Sequence, residues 1–137
     1  MITFKIPGEA VGKGRPRFAR RGAFTVAYTP EKTASYENLV KLAAAEAMRG
    51  RELFAQAVHV EMVIMCTVPQ SWSKKKQAAA IDGTIRPTTK PDVDNVQKAI
   101  YDALNGIVWN DDKQIVSGRF SKHYASQPLV RVTISSA

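Results

Sequence analysis

The chain has a single cysteine, Cys66, and only two histidines, His59 and His123, among its 137 residues. One cysteine excludes an internal disulfide and any metal site built from several cysteines. The two histidines have no partner at the spacing of metal ligands, so we expect both at outward polar positions. Cys66 lies in an apolar run and is expected to pack as a small core side chain.

Long apolar runs and glycine-rich loops are also missing. No stretch reaches the roughly 18 consecutive apolar residues that a membrane helix requires, and the amino-terminal apolar stretch is too short for a secretory signal. The sole Gly-x-Gly, from Gly12 to Gly14, lacks the third glycine and the flanking elements of a dinucleotide site. We therefore expect a cytoplasmic protein that neither enters a membrane nor binds a dinucleotide.

Acidic residues are fewer than basic ones, with 12 Asp and Glu against 20 Lys and Arg, which gives a net charge of +8. A positive surface favours polyanions, because bound phosphates release counterions, although many basic proteins bind no nucleic acid. The acids that are present concentrate between residues 90 and 112. An enzyme that holds a phosphodiester over metal ions needs both a positive surface and a local group of acids.

The segment 90–112 is predicted to contain a helix. Pro91 suits the helix entry, because its fixed φ matches a first turn in which its missing N–H is not needed. From Val93 to Leu104 the apolar residues recur at helical spacing, and Gly106 is a natural stop. The helix spans roughly 20 Å, so the chain must fold back if groups from its two ends are to meet.

Four aspartates bracket this helix: Asp92 and Asp94 at its start, Asp111 and Asp112 beyond its end. One interpretation is structural, since aspartates commonly cap helices and form turns. The other is functional, since carboxylates this close in sequence repel one another unless a cation compensates. Lys98 lies one turn below Asp94 on the same face, where its ammonium is available to a phosphate. The combination suggests metal-assisted hydrolysis of a phosphodiester.

Three motifs in this segment are specific: Pro-Asp-Val-Asp-Asn-x-x-Lys at 91–98, Asp-Ala-Leu-Asn-Gly at 102–106, and Val-Trp-Asn-Asp-Asp-Lys-Gln-Ile-Val at 108–116. They resemble the RusA family of Holliday junction resolvases. Gly-Lys-Gly-Arg-Pro-Arg at 12–17, followed by Tyr-Thr-Pro at 28–30, looks like the amino-terminal segment of the phage-type members. The resemblance implies one α+β domain over residues 1–137, with a mixed sheet packed by helices.

The resemblance also implies an activity and its residues. These are small Mg²⁺-dependent endodeoxyribonucleases, with Mn²⁺ as a substitute, that resolve four-way DNA junctions by paired nicks in recombination and repair. Asp92, Asp94 and Asp112 would bind the metal, Lys98 would complete the catalytic group, and Asp111 would support Asp112. Paired nicks in opposing strands imply a homodimer acting on branched DNA.

Basic residues outside the acidic segment have two interpretations each. Lys13, Arg15, Arg17 and Arg20 alternate with aromatic residues over a predicted hairpin of residues 15–19 and 23–28, which is either a phosphate-contacting ribbon or a solvated loop. Three further lysines follow Ser73, the predicted N-cap of a short helix, and one lysine precedes Pro91; each either contacts DNA or is solvated: Lys74, Lys75, Lys76 and Lys90.

The remaining pattern predicts strands at 2–6, 57–68, 113–124 and 129–135, the last two antiparallel, and a helix capped by Thr29 that runs to about Met48. Glu37 on that helix is expected to be solvated.

The competing functions are a non-catalytic DNA- or RNA-binding module, in which the aspartates only cap the helix and lie in solvent, and a regulatory protein that kept the fold but lost activity. Binding of a divalent metal would separate an enzyme from both.

Overall fold

The computed structural model describes residues 1–28 and 30–137. In chain order, the elements are β1 (Ile2–Pro7), β2 (Arg17–Arg21), β3 (Phe24–Tyr28), α1 (Glu31–Ala47), β4 (Val58–Thr67), α2 (Lys74–Ile81), α3 (Val93–Leu104), a 3-10 turn (Asp112–Gln114), β5 (Ile115–Ala125) and β6 (Leu129–Ser136). The described residues contain no helix that is long and apolar enough to cross a membrane.

The main sheet has four strands in the order β1-β6-β4-β5. β4 pairs antiparallel with β6 and parallel with β5, so the sheet is mixed, and the α+β class is confirmed. β5 and β6 run in opposite directions, as expected, but they are not neighbours, because β4 lies between them. The run from Met62 to Cys66 in β4 is apolar on both faces, which suits a central strand.

The core lies between the sheet and helices α1 and α3. In α3 the buried positions follow the predicted helical stripe: Val96, Ala99, Ile100, Ala103 and Leu104. Apolar side chains at alternate positions of β1, β4 and β6 form the opposing surface. Cys66 is half-buried against this core, where burial raises the pKa of its thiol. The stripe therefore orients α3, and its polar face points away from the core.

The predicted hairpin is present as a separate two-stranded sheet, β2 paired with β3, although its first strand starts two residues later than expected. Phe18 and Phe24 remain exposed, by 70% and 74%. The cap assigned to Thr29 lies outside the described residues. Ser73 does cap α2, since its Oγ accepts from the N–H of Lys76 at 3.2 Å. The outward position of His59 is supported by its side chain, which is 32% exposed and contacts the Ser117 hydroxyl at 2.7 Å.

Removing the Tyr36 hydroxyl should not weaken the fold. Its ring is 5% exposed, burial raises the pKa of the phenol, and its buried Oη has no hydrogen-bond partner among the described residues. An unsatisfied buried hydroxyl is destabilising, so Tyr36→Phe should leave the free energy of unfolding unchanged or raise it by up to about 1 kcal/mol. Urea unfolding measures this change.

The matched control is Tyr101→Phe, because the Tyr101 hydroxyl accepts from Gln97 Nε2 at 3.3 Å. That variant should lose about 0.5 kcal/mol, the lower end for a hydrogen bond. A clear loss of stability in Tyr36→Phe would show that its hydroxyl does have a partner.

Candidate active site

The start of α3 places Asp92 just outside the helix. Asp92 is the N-cap residue with an extended backbone (φ −69°, ψ 144°), yet its side chain makes no capping hydrogen bond. The preceding loop is anchored to β5, since Lys122 Nζ donates to the carbonyls of Thr89 at 2.7 Å and Pro91 at 3.0 Å. The non-helical conformation expected at this position is confirmed, and the fold does not use the Asp92 carboxylate as a helix cap.

The chain reverses direction immediately after α3. Gly106 takes a left-handed backbone (φ 80°), which favours glycine, and its N–H donates to the Trp109 carbonyl at 2.7 Å. The Trp109 indole N–H donates to Asn105 Oδ1 at 2.7 Å, and its ring is fully buried. This reversal brings the two aspartates that follow Trp109 back alongside the last turns of α3.

The two adjacent aspartates have different surroundings. Asp111 caps the 3-10 turn: its carboxylate accepts from the N–H of Lys113 at 2.9 Å. The Gln114 side chain completes the capping box by accepting from the N–H groups of Asn110 and Asp111 at 2.9 and 3.0 Å. Asp112 takes no part in this cap. The turn interpretation therefore holds for Asp111, and the carboxylate of Asp112 is left for the site.

The same glutamine ties this turn to the rest of the fold. Gln114 Nε2 donates to the carbonyls of Phe54 at 2.8 Å and Gln56 at 3.0 Å. Its amide thus uses both donors and accepts twice, which is its full capacity. Gln114 was not singled out from the sequence, because a lone glutamine in a strand carries no recognisable signal.

One cavity of about 370 Å³ brings the polar face of α3 and the turn together: Asp94, Gln97, Lys98, Tyr101, Asp102, Asp112 and Ile115 line it. Burial raises the pKa of Asp112, and the negative charges of Asp111 and Asp102 raise it further, although a hydrogen bond from the Asn105 side chain opposes them. Carboxylates whose charges disfavour one another are a setting that a cation would stabilise. Asp102 lies on the predicted polar face but received no role from the sequence.

Asp92 lines a neighbouring cavity of about 310 Å³ with Gly12, Lys13, Lys90, Pro91 and Asn95. Across residues 1–28 and 30–137, no three His, Cys, Asp or Glu side chains lie close enough to hold one metal ion. Mg²⁺ commonly uses only one or two carboxylates with water and substrate phosphates, so the oxygen donors present fit it. The structure thus places two of the three predicted ligands in one cavity, and the metal-binding role of all three stays a prediction.

Lys13 connects the amino-terminal segment to helices α1 and α3. Its Nζ lies 2.5 Å from Glu37 Oε1 and 3.4 Å from Asp102 Oδ2. Burial lowers the pKa of Lys13, but hydrogen bonds and charge interactions with these two carboxylates outweigh it, so the pKa is raised. The expectation that Glu37 is solvated is wrong, because this ion pair leaves its side chain only 16% exposed. Lys13 is therefore paired with two carboxylates of the protein itself, without any bound DNA.

The other predicted DNA-binding residues fall into three groups. Lys98 is exposed in the acidic cavity and forms no ion pair within 4.0 Å inside the described part of the chain. Arg15, Arg17 and Lys90 line a third, larger cavity. The rest line none of these three cavities: Arg20, Lys74, Lys75 and Lys76.

The two aromatic residues of the segment pack together. The rings of Tyr101 and Trp109 meet edge to face at 5.9 Å, an attractive arrangement for aromatic pairs. Trp109 belongs to the core, whereas half-buried Tyr101 forms part of the wall of the acidic cavity.

Substitutions at the two adjacent aspartates should differ in their effect on stability. Asp111→Ala removes the cap and should lower the free energy of unfolding by about 1 kcal/mol. Asp112→Asn removes a carboxylate that burial and its neighbours disfavour, so it should not lower stability. Urea unfolding of both variants tests the assignment, and equal losses would show that Asp112 is also structural.

Comparisons with known proteins identify a family and a relative of this chain. The family model for the endodeoxyribonuclease RusA matches residues 7–135. A Bacillus subtilis (strain 168) protein, described as uncharacterized protein YqaN, is 38% identical over 135 residues, which cover 97% of this chain and 94% of the relative. The family match spans the amino-terminal segment, the acidic helix and the carboxyl-terminal strands together. The chain therefore belongs to the RusA endodeoxyribonuclease family.

Proposed function

We propose that the protein is a Mg²⁺-dependent endonuclease that resolves four-way DNA junctions by paired nicks. The observation that carries the proposal is the acidic cavity, in which Asp94 and Lys98 of α3 lie together with Asp112 of the 3-10 turn that folds back beside the helix. Membership of an endodeoxyribonuclease family supports the reaction class. The net charge of +8 supports a polyanionic substrate.

Each residue has a role that follows from its position. Asp94 and Asp112, with Asp92 from the adjacent cavity, are the residues that would hold the metal. When bound, Mg²⁺ supplies Lewis acidity and positive charge for phosphodiester hydrolysis. Lys98 donates hydrogen bonds to the oxygens of the scissile phosphate, where negative charge grows in the transition state.

Two further residues hold these groups in place. Asp102 lies beside Asp112 and is itself held by Lys13, so it adds negative charge to the site without being free to swing away. Gln114 fixes the turn that carries Asp112. A four-way junction needs nicks in two opposing strands, so we propose that two copies of the chain act as a homodimer, one active site for each strand.

The first experiment is cleavage of a labelled mobile four-way junction and a matched linear duplex, with Mg²⁺ or with EDTA. The wild type should nick the junction symmetrically only in Mg²⁺. Asp94→Asn should cut slower by a factor on the order of 10² or more, a typical cost for losing a group that stabilises transition-state charge. Its junction affinity, measured by mobility shift in EDTA, should be retained.

A non-catalytic DNA- or RNA-binding module is the alternative, and the capping role of Asp111 favours it, because that carboxylate is already used by the fold. Tight junction binding with no cut in Mg²⁺ or Mn²⁺ would establish that alternative and contradict the nuclease proposal.

A second experiment separates the roles of Asp111 and Asp112 in cleavage. Asp112→Asn should reduce the cleavage rate by a factor on the order of 10² or more, because it removes a carboxylate of the cavity. Asp111→Asn is the matched control: asparagine caps as well as aspartate, so this variant should cut close to the wild-type rate. If Asp111→Asn is the slower of the two, the assignment of the metal ligand to Asp112 is wrong.

A further inference from the structure

The largest of the three cavities lies beside the acidic site and is basic. It has a volume of about 680 Å³ and is bounded by residues 9–17, the start of α1 and the residues that precede α3. Its lining contains one carboxylate, that of Glu9, and four cationic side chains: Arg15, Arg17, Lys32 and Lys90. All four are exposed, and none forms an ion pair within 4.0 Å among the described residues. Lys32 carried no functional signal in the sequence.

The wall of this cavity is built by close contacts. The Gly14 N–H donates to the hydroxyl of Thr33 at 3.1 Å, and Thr33 is only 2% exposed. A Cβ at Gly14 would lie 3.0 Å from both Pro30 Cγ and Thr33 Oγ1, which is too close for another residue to fit without movement. The segment 9–17 is therefore packed closely against the start of α1 at Gly14, next to Arg15.

The basic cavity continues into the cavity of Asp92. The two share Gly12, Lys90 and Pro91, and the N–H of Lys13 donates to the Asn95 carbonyl of α3 at 2.9 Å. The basic residues of this segment therefore have different surroundings. Lys13 forms ion pairs with Glu37 and Asp102, whereas Arg15 and Arg17 line the basic cavity. A strand of DNA held by the basic cavity would lead directly to Asp92.

We propose that this cavity is a binding site for the phosphodiester backbone of a single DNA strand next to the cleaved phosphate. Arg15, Arg17, Lys32 and Lys90 are its phosphate ligands. A volume of about 680 Å³ lies in the range of pockets that hold one small-molecule ligand, so the cavity accommodates a short piece of one strand, whereas a duplex can only lie across its opening. Only its position relative to the cut depends on the proposed nuclease activity.

The test is the affinity of the full chain for a short labelled oligothymidylate and for a duplex of the same length, by fluorescence anisotropy in EDTA. The double variant Arg15→Gln/Lys32→Gln should bind the single strand at least about tenfold more weakly. The slope of log affinity against log salt should fall in magnitude by about 0.7 for each phosphate that the variant no longer neutralises. Duplex affinity should change less, because a duplex can only lie across the opening of the cavity.

Lys41→Gln is the matched control, since Lys41 is an exposed lysine of α1 that does not line the cavity. It should bind both ligands like the wild type, and thermal unfolding should show all variants folded. Equal single-strand affinity of the double variant and Lys41→Gln would overturn the proposal, and so would an equal reduction in duplex affinity.

Failure of this proposal and failure of the nuclease proposal give different results. If the wild type does not cut junctions but binds the single strand through Arg15 and Lys32, the nuclease proposal is wrong and the proposed single-strand site is supported. If the protein cleaves junctions but its affinity for the single strand is unchanged by both substitutions, the nuclease proposal is supported and the proposed single-strand site is wrong.

Discussion

The candidate site depends on the reversal of the chain after α3. A helix of 12 residues separates its ends by about 18 Å, so carboxylates at one end and beyond the other meet only if the chain folds back. Trp109 anchors this reversal, since its ring is fully buried and its indole N–H is satisfied by Asn105, as buried tryptophans require. Gln114 then fixes the returning turn to the segment at Phe54 and Gln56. The position of Asp112 is thus set by core packing.

The distribution of charge has the same tertiary origin. The amino-terminal segment passes over the start of α3, where Lys13 pairs with acids from α1 and α3 and its arginines border the basic cavity. The exposed cations of the basic cavity thus adjoin the carboxylates of α3, so a polyanion held by the cations would reach the carboxylates, where a bound cation would offset the repulsion between like charges. The proposed phosphate-backbone ligand would use both parts of this surface, whereas a compact anion would occupy only one part of it.

Much of the fold follows from local patterns. The apolar stripe of α3, the glycine stop at Gly106, the cap at Ser73 and the alternation along β4 were all predictable, because propensity and periodicity act within a few residues. The order of the strands was not predictable in this way. β5 and β6 run in opposite directions as expected, but β4 separates them, and pairing across long distances depends on which apolar faces fit together.

The sequence by itself determined the family motifs, the helix that carries Asp94 and Lys98, and the polar face to which Asp102 also belongs. Only the tertiary structure decided that Asp111 caps while Asp112 lines the cavity, that Lys13 is paired with two carboxylates, and that Lys32 joins Arg15 and Arg17. The reason is physical. Periodicity reports which face of an element a side chain occupies, but the burial and charge around it depend on elements brought there by folding.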